Sequence, residues 1–169
     1  MKKALATLLI AFSIVGCGYR LASQTPNPAP VDLNGKRVSI HILKNRTGEP
    51  DVEYIITKAI ASEFIRTPQI KVVKNDSQAD YILTGKVTRY TNQVLSLDYR
   101  GTGQYYKLEV TIEITLQDPS SGKSINLGIL TENSEYHMAS DVETSKTNER
   151  KALYRISQEL AQRLTAMLL

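Results

Sequence analysis

Cys17 is the only cysteine in this 169-residue chain, and it follows a short apolar segment. Met1-Lys2-Lys3 leads into Ala4 to Val15 without a charge, and Gly16-Cys17-Gly18 closes the run. A basic start, an apolar core of about a dozen residues and a small residue before the break form a secretory signal peptide. The run is too short to span a bilayer, which takes about 20 apolar residues. A thiol at that junction is suited to acylation. Each buried methylene of an attached chain contributes about 0.8 kcal/mol, so one chain anchors marginally and several anchor stably. Left unmodified, a lone thiol is a liability in an oxidising compartment.

Ile14-Val15-Gly16-Cys17 resembles the bacterial lipobox, with Ile where Leu is usual. The resemblance makes residues 1–16 the signal peptide and Cys17 the lipid-attachment residue. Residues 17–34 then form the lipidated cysteine and its tether, marked by Pro26, Pro28 and Pro30 among small polar residues. Gly18, rather than Asp, follows the cysteine. By the sorting rule of such lipoproteins this favours the outer membrane, anchored on the periplasmic side.

Other catalytic chemistry has little to work with. His41 and His137 are the only histidines, and no His/Cys/carboxylate spacing suggests a metal site. There is no Gly-x-Ser-x-Gly elbow, phosphate-binding loop or His-Glu-x-x-His segment. Asp76 and Asp80 straddle a turn, where carboxylates more often cap than catalyse. An enzyme is not expected, and no cofactor is expected.

Removing Lys2 and Lys3 with the signal leaves 19 basic and 17 acidic side chains in a mature chain of 153 residues. That length suits one domain with a real core. The near balance of charge, with export, argues against a nucleic-acid partner.

The elements that must position any site follow from periodicity. Val38, Ile40 and Ile42 alternate as in a half-buried strand. Pro50 suits a helix start, and Val52, Ile55, Ile56, Ala59, Ile60 and Phe64 follow at helical spacing until Pro68. A short strand covers Ile70 to Val73, and a long one covers Ala79 to Tyr90, where Gly85 marks a bulge or close backbone approach. Asn92 to Gly103 reads as a loop or flared hairpin. In the strand from Tyr105 to Leu116, Leu108, Val110, Ile112, Ile114 and Leu116 share one face, and Glu109, Thr111, Glu113 and Thr115 share the other. Asp118 to Lys123 is a turn, Ser124 to Tyr136 a further extended segment, and His137 to Ser145 a polar loop. Leu153, Ile156, Leu160, Leu164 and Met167 stripe a closing helix. The implied fold is α+β: a two-layer sandwich with two helices on one face of a four- to five-stranded, mostly antiparallel sheet. Its other face lies open to solvent or to a partner.

Nine tyrosines stand against two phenylalanines and no tryptophan. Tyr81, Tyr90, Tyr99, Tyr105, Tyr106 and Tyr136 fall on or beside the strands, either as ordinary strand residues or as an interaction face. Arg89, Arg100 and Lys107 cluster there, with Lys86 and Lys123 near. They are solvated strand residues or a site for an anion such as a lipid phosphate.

Several segments together resemble the LptE family of lipopolysaccharide-assembly lipoproteins. They are Gly16-Cys17-Gly18-Tyr19-Arg20-Leu21, the Val38-to-Ile42 strand with Asn45 and Thr47, and Ala79-Asp80-Tyr81-Ile82-Leu83-Thr84-Gly85. The Tyr106-to-Leu116 strand with Asp118 and Gly122-Lys123, and the Leu-rich closing helix, complete the set. The segment near 92–104 departs from the family. The resemblance implies one LptE-like domain over residues 35–169 and an outer-membrane lipoprotein. Such a protein plugs the LptD-type β-barrel, assists its assembly and helps deliver lipopolysaccharide without catalysis. It also implies that basic residues bind the lipid, for which Arg89, Arg100, Lys107 and Lys123 are the candidates. The first strand, first helix and Ala79-to-Gly85 strand are also similar to the small domains of TolB, CsgG and LpoB. Those imply a lipid-anchored scaffold of a secretion pore or a regulator of a cell-wall synthase.

Overall fold

The computed structural model describes residues 31–97, 99 and 103–169. Cys17, Arg100 and the signal and most tether positions therefore lie outside the described residues. The order is β1 (Arg37–Ile40), β2 (Lys44–Asn45), α1 (Val52–Arg66), β3 (Lys71–Val72), β4 (Tyr81–Leu97), β5 (Gly103–Gln117), β6 (Ser124–His137) and α2 (Val142–Met167). The sheet has six strands in the order β3-β1-β4-β5-β6, with β2 also paired to β4. It is mixed: β3, β1 and β2 run parallel to their neighbours, and β4, β5 and β6 are antiparallel. The expected antiparallel meander is the β4–β6 part. The parallel pairs arise because α1 and its flanking turns carry the chain back across the sheet, as a parallel connection requires.

Both helices pack on one face. α1 buries Val52, Ile56, Ile60 and Phe64, and α2 buries Leu153, Ile156, Leu160 and Leu164. These meet Leu83, Val87, Leu108, Val110, Ile112, Ile114 and Leu116 of the sheet in one core. Each such side chain contributes about 1.5–3 kcal/mol relative to exposure. Met167, read as part of the stripe, is 41% exposed at the end of α2. α2 starts at Val142, inside the stretch expected to be loop, because Asp141 caps it: its carboxylate accepts from the Thr144 N–H at 2.7 Å. Those hydrogen bonds hold the Asp141 carboxyl below its ordinary range.

Two local features fix the sheet. Gly85 is a close approach rather than the bulge: an added Cβ would lie 2.4 Å from the Glu113 carbonyl and 2.9 Å from Leu43 Cδ2. The bulge comes three residues later. Val87 pairs with Ile112 and Arg89 with Thr111, so Thr88 is extra on β4. Before it Leu83, Gly85 and Val87 face the helices; after it Tyr90, Asn92 and Val94 do. Asn92 to Leu97 continue β4, and Gly103 begins β5, so the flared-hairpin reading of this region holds.

The described chain starts at the far end from that hairpin. Leu33 is buried and its N–H donates to the Leu168 carbonyl at 2.9 Å. α2, 26 residues long, runs from the hairpin end to this point, about 39 Å. No helix among the described residues is long and apolar enough to cross a membrane.

Candidate functional site

The sheet face away from the helices is polar, and most of its charges are matched. Lys86 Nζ lies 2.8 Å from Glu113 Oε2, and Arg89 Nη1 lies 3.6 Å from Glu109 Oε1. Between them the Thr111 and Thr131 hydroxyls meet at 3.0 Å. Lys107 stands across from Gln93 on one side and Glu135 on the other. Lys44 of β2 stands beside Lys86, so four bases face three acids on a wet, largely ion-paired surface, as the Glu/Thr alternation of β5 anticipates.

Of the four basic candidates, the structure brings two together. Arg89, opposite Thr111, and Lys107 share this face about four residues apart along β5, roughly 13 Å. Arg89 reaches the face only because the Thr88 bulge turns β4 over. Lys123 is exposed in the β5–β6 turn, about ten residues or 34 Å along β5 from Lys107. One small ligand cannot touch both. Arg100 lies outside the described residues.

The hairpin end carries a different surface. Val94, Leu95, Leu97, Tyr99 and Tyr105 are 45–87% exposed there. The tyrosines divide accordingly. Tyr105 packs edge-on against His137 with centroids 5.1 Å apart, and Tyr106 stacks on Tyr136 at 5.7 Å. Tyr136 is buried, which pushes its hydroxyl up to about 12.

Sequence reasoning missed a clamp between the hairpin and α2. Glu149 accepts from Tyr90 Oη at 2.9 Å and from Asn92 Nδ2 at 2.7 Å. Burial first, and Glu149 second, raise the Tyr90 hydroxyl above its ordinary range. Beside it a cavity of about 390 Å³ is lined by Glu49, Tyr90, Lys146, Glu149 and Arg150. Glu49 is held above the usual carboxylate range by burial and then by Glu149, with Lys146 opposing. No signal in the sequence joined residues 49, 90 and 149, because three elements converge to make the contact. Among the described residues no cluster could hold a metal ion. His41 Nε2 is instead 2.9 Å from Asp76, and Asp80 pairs with Arg37 at 2.7 Å, so both aspartates brace the sheet edge.

The family model for LptE, lipopolysaccharide-assembly, matches residues 35–168. The chain belongs to the LptE family. Membership assigns it to lipopolysaccharide assembly, among envelope lipoproteins of a non-catalytic family. Solved structures share the fold at low identity. Uncharacterized lipoprotein B from Nitrosomonas europaea is 17% identical, with a TM-score of 0.55 over 79% of this chain and 81% of that one. Rare lipoprotein B from Shewanella oneidensis is 15% identical, with a TM-score of 0.52 over 78% and 92%. PelC from Paraburkholderia phytofirmans, a dodecamer, is 17% identical, with a TM-score of 0.53 over 83% and 92%. No curated protein sequence matches the chain.

Proposed function

We propose that this LptE-family chain is an outer-membrane lipoprotein that plugs an LptD-type β-barrel, assists its assembly and helps pass lipopolysaccharide to the outer leaflet. Residues 1–16 would be its signal, Cys17 its lipid attachment and 17–34 its tether to the domain over 35–169. The observation that carries the reading is the polar, largely ion-paired open face of a sheet whose other face is sealed by helices. A barrel lumen is polar, and a wet surface whose acids stand opposite bases suits it. The axial layout supports the same reading. The start of the domain and the hairpin end are about 39 Å apart, against a hydrocarbon core of about 30 Å. A lipid on Cys17 would hold one end at the periplasmic leaflet and raise the effective concentration of domain at barrel.

Within this proposal Arg89 and Lys107 meet the phosphates of the passing lipid. The apolar hairpin end with Leu97 and Tyr105 meets its acyl chains. Arg100 extends the basic set, while Lys123 serves the far end of the sheet. The deciding experiment is a pull-down of the tagged lipoprotein from detergent-solubilised outer membranes of its host. Recovery of a large β-barrel in a one-to-one complex supports the plug. Recovery of a secretion pore, a cell-wall synthase or no barrel moves the protein to the scaffold reading.

A further inference from the structure

A groove of about 410 Å³ runs between the two helices on the side away from the sheet. Its floor is made of small residues, Ala59 and Ser62 of α1 with Ser157 and Ala161 of α2, and its walls include Tyr54 and Tyr154. The tyrosines are 54% and 49% exposed, large apolar surfaces left to solvent beside a channel. Ser157 offers the channel no free hydroxyl, since it donates to the Leu153 carbonyl at 2.7 Å. Lys58 and Gln158 on the rim, with the two phenols, supply polar tips. A narrow groove walled by aromatic rings with donors on its rim is what an extended, proline-rich backbone fits. Such a segment presents ring faces and free carbonyls, and it has little entropy to lose.

The sequence just before residue 31 carries such a segment. Leu33 is pinned to Leu168, and the Gly35 N–H donates to the Gln69 carbonyl at 2.7 Å. Both contacts sit where α1 and α2 end, beyond Arg66 and Ala161, which line that end of the groove. The residues just before this point read Thr25-Pro26-Asn27-Pro28-Ala29-Pro30. At about 3.1 Å per residue, six residues of polyproline backbone extend roughly 19 Å. From Arg66 back to Tyr54 is twelve residues of α1, roughly 18 Å. The segment and the groove match in length, chemistry and point of departure.

We propose that residues 25–30 dock in the α1–α2 groove between Tyr54 and Tyr154, so that this stretch acts as a latch on the helix layer and not only as a spacer. Docking turns Cys17 back along the helices and shortens the reach of whatever is attached to it; release restores the full length. The attachment at residue 31 makes the contact intramolecular, so a weak intrinsic affinity, in the millimolar range, is enough to populate it. The inference is independent of the identity of the barrel partner.

The lone thiol provides the test. The unlipidated chain over residues 17–169 takes a nitroxide at Cys17, and paramagnetic broadening is read at each backbone amide. Docking predicts broadening along the outer face of both helices as far as Tyr54 and Tyr154. It also predicts retreat of that broadening to the Leu33–Leu168 end when Pro26, Pro28 and Pro30 are all replaced by Gly. Those substitutions precede residue 31, and unchanged core amide positions in the same spectra would show that folding is intact. A second variant, Ala59→Arg, fills the groove and should produce the same retreat. Broadening confined to the chain-entry end in the wild type overturns the latch, as does a pattern unchanged by the glycine replacements. Broadening that grows with protein concentration assigns the groove to a second copy and overturns it as well.

Discussion

Replacing Gly85 by Ala tests the packing that holds the long hairpin to the parallel half of the sheet. The new Cβ would lie 2.4 Å from the Glu113 carbonyl oxygen, 2.9 Å from Leu43 Cδ2 and 3.0 Å from Ile114 Cδ1. The first neighbour is backbone of the adjacent strand and cannot rotate away. β4 and β5 must separate by about 1 Å, next to the Lys86–Glu113 pair, and Leu43 must leave its seat over β4. Overpacking of this kind costs about 1–3 kcal/mol, while losing a flexible glycine returns about 0.4–1 kcal/mol. The net expectation is a loss of about 1–2 kcal/mol. For a domain of this size that lowers the melting temperature by roughly 3–10 °C. Thermal and urea unfolding followed by circular dichroism would read it, with an unchanged urea slope showing that the unfolded state is the same. Gly48 is the control: an alanine Cβ there meets nothing within 4 Å, and Gly48→Ala should leave the midpoint unchanged or slightly raised. A Gly85→Ala protein as stable as the wild type would refute the close-approach argument.

Three further predictions test the clamp, the sheet edge and the basic face. Tyr90→Phe removes one of two donors to Glu149 and should cost about 1.5–3 kcal/mol, the range for hydrogen bonds to charged groups; no change in the urea midpoint would show that Asn92 alone satisfies the carboxylate. Asp80 is held at about 2 by the Arg37 side chain and then by its backbone N–H, so its folded pKa is depressed. The stability it supplies is complete above the ordinary aspartate value of about 3.9 and is lost as pH falls toward 2. Asp80→Asn should therefore flatten the loss of stability between about pH 4 and 2, and a wild-type slope in the variant would remove Asp80 as its source. Arg89→Glu combined with Lys107→Glu should weaken lipopolysaccharide binding while the circular dichroism stays native; unchanged binding would take both residues out of the lipid's path.

Much of the architecture was legible because it is written in short-range pattern. The five apolar residues from Leu108 to Leu116 at period two could only build a strand with one buried face, and the β5 they form buries all five. The helical spacing from Val52 to Phe64 likewise placed α1 on a core. Asp141 does not stand out as a cap in the sequence, because after Val142 the first two turns of α2 are polar and show no apolar stripe to announce a helix.

The candidate site was only half visible. Residue types named the basic set, and the Glu/Thr alternation of β5 foretold a wet open face, because both are properties of single segments. Which bases share a ligand was not in the sequence. Without the extra residue at Thr88, Arg89 would fall on the helix-facing side of β4 with Val87's register; the bulge, a matter of pairing with β5, sends it to the open face. The Tyr90–Asn92–Glu149 clamp spans 59 residues and exists because the same bulge aims Tyr90 at α2. The sequence by itself determined the elements, the two-layer class and the polarity of the exposed sheet face, since backbone periodicity and side-chain burial are local in origin. Only the tertiary structure decided the parallel pairs, the face on which each β4 side chain stands and the groove left between the helices, because register and packing depend on contacts between residues far apart in the chain.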